Sequence, residues 1–538
     1  MRGGWFKLLS MLRGLRLVSL VLALPALYAA GTAPAITVEI RDYAAMPITG
    51  ALDGTGATDA LLARVNSLRE EPGGANRFFV NDLNGPLYIL DKKTKAFTTY
   101  LDFNGREGHS GLFRRFAYAT NWANGLVAVQ FDPDYRRNGR FYTVHIEDPA
   151  VEQPAEPDQA RLPALNLRGY AITAAVATPG DIQREGVVIE WTDTNTANAT
   201  FEGTARELLR LRLNTRIHPL GDLVFNPTAR PGDPDWRVLY VGIGDTGSGE
   251  SRTPIRTNPQ RLDTLVGKIL RIIPDPVERV SSSTLSENGR YRIPNDNPFV
   301  STPGARGEIW AYGFRNPHRL HWAVDAANPA NTRLLANSIG LHTWETVNIV
   351  HKGANYGYSQ REGNQTLQRD NLAGPLPDED KIPVLVNDTV TNGTITPTYP
   401  VIQYGHVPGG GDAIGSGFLY AGKAMPMLRG KYVFTDISTG RIWYADYKEM
   451  LAADDGDPRT MAERHELRIG WEKQVYDSMF PIALTTFHAR GGKNPTLPGR
   501  ALVSGIGRAD ANLAVDAAGE LYVFTKSDGM IRALISGR

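Results

Sequence analysis

One hydrophobic pattern recurs along the chain: an apolar run rich in aromatic and β-branched residues, a polar turn, and a second apolar run. The clearest copies are FFVNDLNGPLYILD (78–91), KYVFTDISTGRIWYADY (431–447) and LYVFTKSDGMIRAL (521–534). Apolar and polar residues alternate within each run, and Gly, Asn, Asp or Ser stands at the reversal. Each copy therefore predicts two antiparallel strands joined by a tight turn.

Weaker copies lie at 140–148, 238–250 and 334–350, so the pattern returns at intervals of roughly 50 to 100 residues. Four-stranded sheets joined by variable loops would give this spacing. We expect an all-β fold, a six-bladed β-propeller with long inter-strand loops over residues 75–538. A pair of β-sandwich domains would give a similar rhythm, but no linker or change of composition divides the segment.

The N-terminus carries a different pattern. Basic residues precede the apolar run 17–30, and small residues follow it. This order is typical of a secretory signal peptide over residues 1–30, cut between about Ala29 and Ala35, and the run is short for the roughly 20 residues that span a bilayer. The sequence thus predicts a periplasmic or secreted protein with no stable membrane anchor after cleavage.

Three further segments stand apart from the repeats. Residues 31–74 predict an N-terminal extension with one short helix over 59–71. Within the propeller segment, a helical pattern is confined mainly to 445–467. The stretch 364–400 is rich in Asp, Asn, Thr and Pro. It predicts a long loop over one face, where ligand contacts commonly lie.

Composition and charge exclude several classes of protein. Lys and Arg number 58 against 57 Asp and Glu, so no basic excess exists to bind nucleic acid. Hydrophobic residues make up 42% and charged residues 21%, the balance of a soluble globular protein. The chain has no cysteine, which excludes disulfide frameworks, thiolate catalysis and cysteine-ligated zinc.

Polar residues that could take part in catalysis stand at the ends of predicted strands. They are His218 in NTRIHPLGDLVFNP, Asp245 in VGIGDTG, and Arg315 with Asn316 in WAYGFRNPHRL. A histidine oriented by a carboxylate can act as a general base, while Arg and Asn stabilise developing negative charge. The same sequence pattern would arise if His218 were a turn histidine, Asp245 an Asx-turn residue and Arg315 a structural arginine. GIGDTG also matches GxGxxG, but glycine and proline follow where a dinucleotide fold needs a helix.

Longer stretches carry a resemblance to a known family. NPQRLDTLVGKILRIIPDP (258–276), GEIWAYGFRNPHRL (307–320) and GSGFLYAGKAMPMLRGKYVFTDISTGRIW (415–443) are similar to segments of the soluble glucose/sorbosone (aldose sugar) dehydrogenase family, in the family's order. Its members are six-bladed propellers that oxidise aldoses with pyrroloquinoline quinone (PQQ) and Ca²⁺. The resemblance therefore implies an oxidoreductase with a sugar substrate and an external electron acceptor.

Two other functions stay open. Hedgehog-interacting-type relatives use the propeller for binding, so the chain is alternatively a non-catalytic module for glycans or proteins. A lactonase-type hydrolase would need side-chain carboxylates around Ca²⁺, for which Asp82, Asp245 and Asp436 are the candidates.

The resemblance also implies roles for individual residues. His218 falls on the family's catalytic base, which takes the proton from the anomeric hydroxyl while C1 delivers hydride to the quinone. Asp245 falls on the carboxylate that holds this imidazole. Arg315 and Asn316 match the pair that contacts the quinone oxygens, and Arg315 would stabilise charge on them.

The cofactor side of the resemblance is less complete. Gly340 and Leu341 fall where main-chain carbonyls of the family hold Ca²⁺. The family's two arginines that bind the cofactor carboxylates fall in SGIGRADANLAV (504–515), where this chain offers only Arg508, displaced by one residue. The family's cofactor-contacting lysine falls near Ser438 and Thr439, where this chain has no lysine.

Overall fold

The main strands form six four-stranded antiparallel units arranged in a ring. A computed structural model of the chain describes residues 35–74, 76–118 and 124–537. The first strand of each unit contacts the first strand of the next, and the sixth contacts the first. This is the six-bladed β-propeller that the repeats predict, and the units are its blades.

The blades are numbered in chain order, and each is given from its inner to its outer strand. They are Val65–Glu70, Arg77–Asp82, Pro86–Asp91 and Phe97–Asp102 (blade 1); Leu126–Phe131, Arg140–Glu147, Arg184–Asp193 and Gly203–Leu213 (blade 2); Leu220–Phe225, Leu239–Ile243, Lys268–Ile272 and Ile309–Tyr312 (blade 3); Asn316–Ala323, Arg333–Ile339, Trp344–Ile349 and Ile402–Gly405 (blade 4); Ile414–Leu419, Lys431–Asp436, Ile442–Asp446 and His465–Trp471 (blade 5); and Ala511–Val515, Leu521–Thr525, Met530–Ser536 and Ile36–Ala45 (blade 6).

Shorter elements lie in the loops. The α-helices are Tyr135–Asn138, Tyr447–Ala452 and Phe480–Ala489, and the additional strands are Leu165–Asn166, Ser283–Leu285, Arg292–Pro294, Arg361–Glu362, Gln365–Thr366, Ile382–Leu385, Thr391–Ile395 and Gln474–Tyr476. The stretch 364–400 lies between the third and fourth strands of blade 4. It contains the whole pairing of Ile382–Leu385 with Thr391–Ile395, and Gln365–Thr366 from the pairing with Arg361–Glu362. Within 445–467 the helix is confined to Tyr447–Ala452.

The ring is closed by the N-terminal part of the chain. Ile36–Ala45 pairs antiparallel with Met530–Ser536 and parallel with His465–Trp471. Val65–Glu70 is the inner strand of blade 1, so the predicted helix over 59–71 is wrong. Residues 36–74 thus belong to the propeller unit and not to an extension ahead of it. Pairing with distant strands determines the secondary structure of these segments, because a short apolar run by itself is compatible with either a helix or a strand.

The predicted signal peptide lies outside the described residues. Within the residues that are described, no helix is long and apolar enough to cross a membrane.

Candidate active site

A cavity of about 290 Å³ lies among the inner strands. Its walls come from residues at the starts of the inner strands and at the ends of the second strands. Most of the predicted site residues line it: His218, Arg315, Asn316, Gly340, Leu341 and Arg508. The fold therefore brings together side chains that are almost 300 residues apart in sequence.

His218 and Asp245 form a pair at the edge of this cavity. His218 precedes the inner strand of blade 3 by two residues, and Asp245 follows the second strand of the same blade. Their Nδ1 and Oδ1 atoms are 2.7 Å apart. Asp245 is fully buried behind His218, whose side chain is 12% exposed. Among the described residues, the second ring nitrogen, Nε2, has no hydrogen-bond partner.

The turns around this pair explain the glycines of GIGDTG. His218 itself has a positive φ of 48°. A Cβ atom at Gly244 would lie 2.4 Å from the His218 carbonyl oxygen, so only glycine fits there. Gly247 has φ of 76° and donates its N–H to Asp245 Oδ1 over 2.9 Å. The motif thus serves a close approach of two turns and needs no dinucleotide.

Electrostatics fix the tautomer of His218. Burial alone would raise the pKa of Asp245, but the charge and hydrogen bond of His218 and the charge of Arg315 hold it below its usual value. An ionised carboxylate only accepts hydrogen bonds, so Nδ1 is the donor, and the neutral form of the imidazole carries its lone pair on Nε2. In that form His218 presents a proton acceptor to the cavity.

Arg315 is buried beside this pair, but its guanidinium is already engaged. It donates to the carbonyl oxygen of Gly340 and forms an ion pair with Glu250. Burial alone would lower the pKa of Arg315, and the charge of Glu250 is the main cause that raises it. Glu250 Oε1 also lies 4.0 Å from His218 Nδ1. Sequence reasoning missed Glu250, whose only signal is its place five residues after Asp245.

Asn316 and Leu341 line the cavity together with Arg315. Asn316 begins the inner strand of blade 4, is buried and lines the cavity. The N–H of Leu341 donates to Glu362 Oε1 over 2.7 Å, and the same oxygen accepts the N–H groups of the next three residues at 2.8 to 3.2 Å. A single carboxylate therefore holds the loop that carries Gly340. Sequence reasoning also missed Glu362.

Blade 6 contributes two cations to the cavity. Arg508 pairs with Asp510 over 3.0 Å. Lys526 directly follows the second strand of the blade, is 7% exposed and lines the cavity. This lysine was not predicted. Its signal was the third repeat copy, LYVFTKSDG, in which lysine stands where the other two copies have aspartate.

A family comparison agrees with this fold. The model of a family described as "Glucose / Sorbosone dehydrogenase" matches residues 72–469. The chain belongs to this family. The predicted family membership is thereby confirmed, and the match runs from just before the second strand of blade 1 into the fourth strand of blade 5.

Individual relatives of the glucose/sorbosone dehydrogenase family are distant. The HIPL1 protein of Arabidopsis thaliana is 24% identical over 392 residues, 69% of this chain and 51% of that protein. The chain thus matches about half the length of this relative. The aldose sugar dehydrogenase YliI of Escherichia coli is 33% identical over 147 residues, 27% of this chain and 30% of that protein.

Solved structures show the same architecture. A crystal structure of glucose dehydrogenase superposes with a TM-score of 0.52 at 16% identity, covering 89% of this chain and 97% of the other. The apo form of the soluble aldose sugar dehydrogenase from Escherichia coli gives a TM-score of 0.50 at 17% identity, covering 93% and 99%. At these identities the likeness shows the fold.

The cavity fits a polyanionic cofactor. PQQ carries three carboxylates, and Lys526 is a buried ammonium for which the described residues provide no hydrogen-bond partner. Arg508 and Asn316 line the same cavity, and Asn316 offers a side-chain amide. These residues supply the charge and the donors that carboxylate and quinone oxygens need.

Calcium does not fit the arrangement at Gly340. The carbonyl oxygen that would bind the ion accepts a hydrogen bond from Arg315, so a cation there would meet a guanidinium at close range. Within the described part of the chain, no three Asp, Glu or His side chains are grouped to hold a metal ion. The carboxylates considered for a lactonase-type site, Asp82, Asp245 and Asp436, are therefore not brought together.

Proposed function

We propose that this chain is an exported, PQQ-dependent sugar dehydrogenase that passes electrons from an aldose to an external acceptor. The observation that carries the proposal is the His218–Asp245 pair, with Nε2 of His218 presented to the cavity. Family membership supports the reaction class. A leading segment with the pattern of a signal peptide supports export.

In this reaction His218 is the base. Its Nε2 accepts the proton of the anomeric hydroxyl group, and the ionised Asp245 stabilises the imidazolium that results. General-base catalysis of this kind contributes about 10²- to 10⁴-fold to a rate. PQQ, when bound, would supply the acceptor for the two electrons that leave C1 as hydride.

Other cavity residues would hold the cofactor. Arg508 offers a guanidinium for a carboxylate, and Asn316 offers a side-chain amide for a quinone oxygen. Arg315 lies next to His218 and fixes the Gly340 loop, so in this arrangement its part is to position the loop and to hold Asp245 ionised. Calcium has no step in this mechanism, because Arg315 occupies the Gly340 carbonyl oxygen.

The test compares His218→Ala with wild type in dye reduction by a panel of aldoses, after reconstitution with PQQ. We expect kcat to fall at least about 100-fold while the affinity for PQQ stays unchanged. His351→Ala is the matched control, because His351 also pairs with an aspartate, Asp454, at 2.9 Å but does not line the cavity. Undiminished turnover in His218→Ala would overturn the assignment of the base.

The engagement of Arg315 favours a second candidate function. A guanidinium held by Glu250 and by a main-chain carbonyl is not free to contact a quinone oxygen. A propeller that has lost its cofactor would bind glycans or proteins through the same face. A folded wild-type protein that gives no heat with PQQ and no sugar-driven dye reduction would overturn the dehydrogenase and favour this alternative.

A further inference from the structure

Lys526 is a buried cavity residue whose ammonium has no ion pair among the described residues. It directly follows Leu521–Thr525 in blade 6 and is 7% exposed. No hydrogen bond to its ammonium is formed within the described residues. A buried ammonium without acceptors is unfavourable, since it loses its hydration without compensation.

Charged groups from three blades face Lys526. They are Arg64 from the loop before blade 1, Arg319 from the inner strand of blade 4, and Arg508 with Asp510 before blade 6. Burial lowers the pKa of Lys526 to about 7; Asp510 opposes this effect, and the guanidinium groups add to it. Positive charge thus surrounds Lys526 on several sides.

The arginines, by contrast, each have a carboxylate nearby. The neighbours are Asp82 for Arg64, Asp222 for Arg319, and Asp510 for Arg508. His318 also faces Lys526, and burial, together with the charge of Arg319, holds the pKa of His318 well below its usual value, which keeps this ring neutral. The charge on Lys526 therefore lacks a dedicated counter-ion.

Comparison of blades 5 and 6 shows that the Lys526 side chain does not stabilise the turn in which it lies. In blade 5 the corresponding Asp436 accepts the N–H groups of Asp412, Ala413 and Thr439 at 2.9 Å. Lysine has no acceptor and cannot do this. In blade 6 Asp528 takes over, accepting from the Thr525 hydroxyl and from the N–H of Met530. The side chain at position 526 is therefore not needed to accept hydrogen bonds within the turn.

We propose that Lys526 binds a carboxylate of the cofactor in this cavity, in place of the lysine that is absent at Ser438 and Thr439. The inference rests on the function proposed above. A carboxylate would supply both the negative charge and the hydrogen-bond acceptors that Lys526 lacks. It would reach the ammonium from the cavity that Lys526 lines. The cation comes from blade 6, the neighbour of the blade that carries Ser438.

The first measurement is calorimetric titration of PQQ into wild type, Lys526→Met, Lys526→Arg and Lys423→Met. Lys526→Met should weaken binding about 10- to 100-fold, the range of a hydrogen bond between charged groups. Lys526→Arg should retain much of the affinity. Lys423 is exposed and does not line the cavity, so Lys423→Met should bind like wild type.

A second readout does not depend on activity or on a variant's stability. With a pKa of about 7, Lys526 is mostly neutral at pH 8 in the free protein. A bound carboxylate raises this pKa, so binding should take up protons at pH 8 and far fewer at pH 6. The uptake is measured as the dependence of the binding heat on the ionisation enthalpy of the buffer, and it should disappear in Lys526→Arg.

The outcomes separate the two proposals. Wild type that does not bind PQQ at all overturns the proposed function and this inference with it. Wild type that binds PQQ while Lys526→Met binds equally well, with no proton uptake in either, overturns the role of Lys526 and leaves the function standing. Weakened binding in Lys526→Met, with unchanged thermal unfolding and proton uptake only in wild type, supports the role of Lys526.

Discussion

Closure of the ring depends on the N-terminal strand, and its removal should unfold the propeller. Ile36–Ala45 is hydrogen-bonded to Met530–Ser536 on one side and to His465–Trp471 on the other. It completes blade 6 and joins it to blade 5 in a continuous sheet. We expect a chain that begins at residue 47 to lose its cooperative folded state.

The magnitude follows from the burial of this segment. Val38, Ile40 and Met46 are 0%, 6% and 1% exposed, and Val38 and Ile40 pack in the core cluster that contains Ile469 and Leu534. Full burial of such a side chain stabilises a protein by about 1.5–3 kcal/mol, so the three contribute about 4.5–9 kcal/mol. The total stability of a native protein is typically about 5–15 kcal/mol. Removal also leaves two strand edges open to pairing with other molecules.

The assay compares chains that begin at residues 35 and 47 by urea and thermal unfolding, followed by circular dichroism and tryptophan fluorescence. The longer chain keeps the whole strand and should unfold cooperatively. Within it, Val38→Ala should lower the free energy of unfolding by about 1–3 kcal/mol. The exposed Arg41→Ala should change it by less than about 0.5 kcal/mol. Equal midpoints for the two chain lengths would refute the role of this strand in closure.

Three further outcomes are expected. Asp245→Asn should lower kcat about 10²- to 10⁴-fold in the dye assay, because the imidazolium of His218 loses its counter-charge. The pKa of Asp245 is below its unfolded value, so its stabilisation is present above about pH 3.9 and is lost as the pH falls; urea midpoints should therefore drop more steeply in acid for wild type than for Asp245→Asn. Lys268→Met should lower the unfolding midpoint in urea, because the buried Lys268 ammonium donates to three main-chain carbonyls at 2.7 to 3.1 Å.

Much of the fold was predictable because local patterns of apolar, polar and turn residues mark its strand pairs. The three clear repeats are the second and third strands of blades 1, 5 and 6, with the turn where the pattern reverses. Ile36–Ala45 was missed even though it alternates, because its partners are at the other end of the chain. The helix Phe480–Ala489 was missed as well, and it lacks a side-chain cap at its N-terminus.

The site was predictable only where a residue stands in a recognisable motif. His218, Asp245 and Arg315 stand in such motifs, and the fold brings them together. Glu250 and Lys526 stand in turns that resemble other turns of the chain. Their importance depends on which side chains from neighbouring blades face them, and a local pattern carries no information on that.

Arg315 shows why matching positions do not by themselves transfer contacts. The resemblance places it opposite a quinone oxygen, yet its guanidinium is held by Glu250 and by the Gly340 carbonyl. These two partners come from different blades and loops, so the contact is decided by the assembled ring. Any ligand that takes Arg315 must compete with an ion pair in a buried setting, where removing one partner leaves a charge uncompensated. Calcium at Gly340 would face the same competition, because the ion and the Arg315 guanidinium would bind the same carbonyl oxygen.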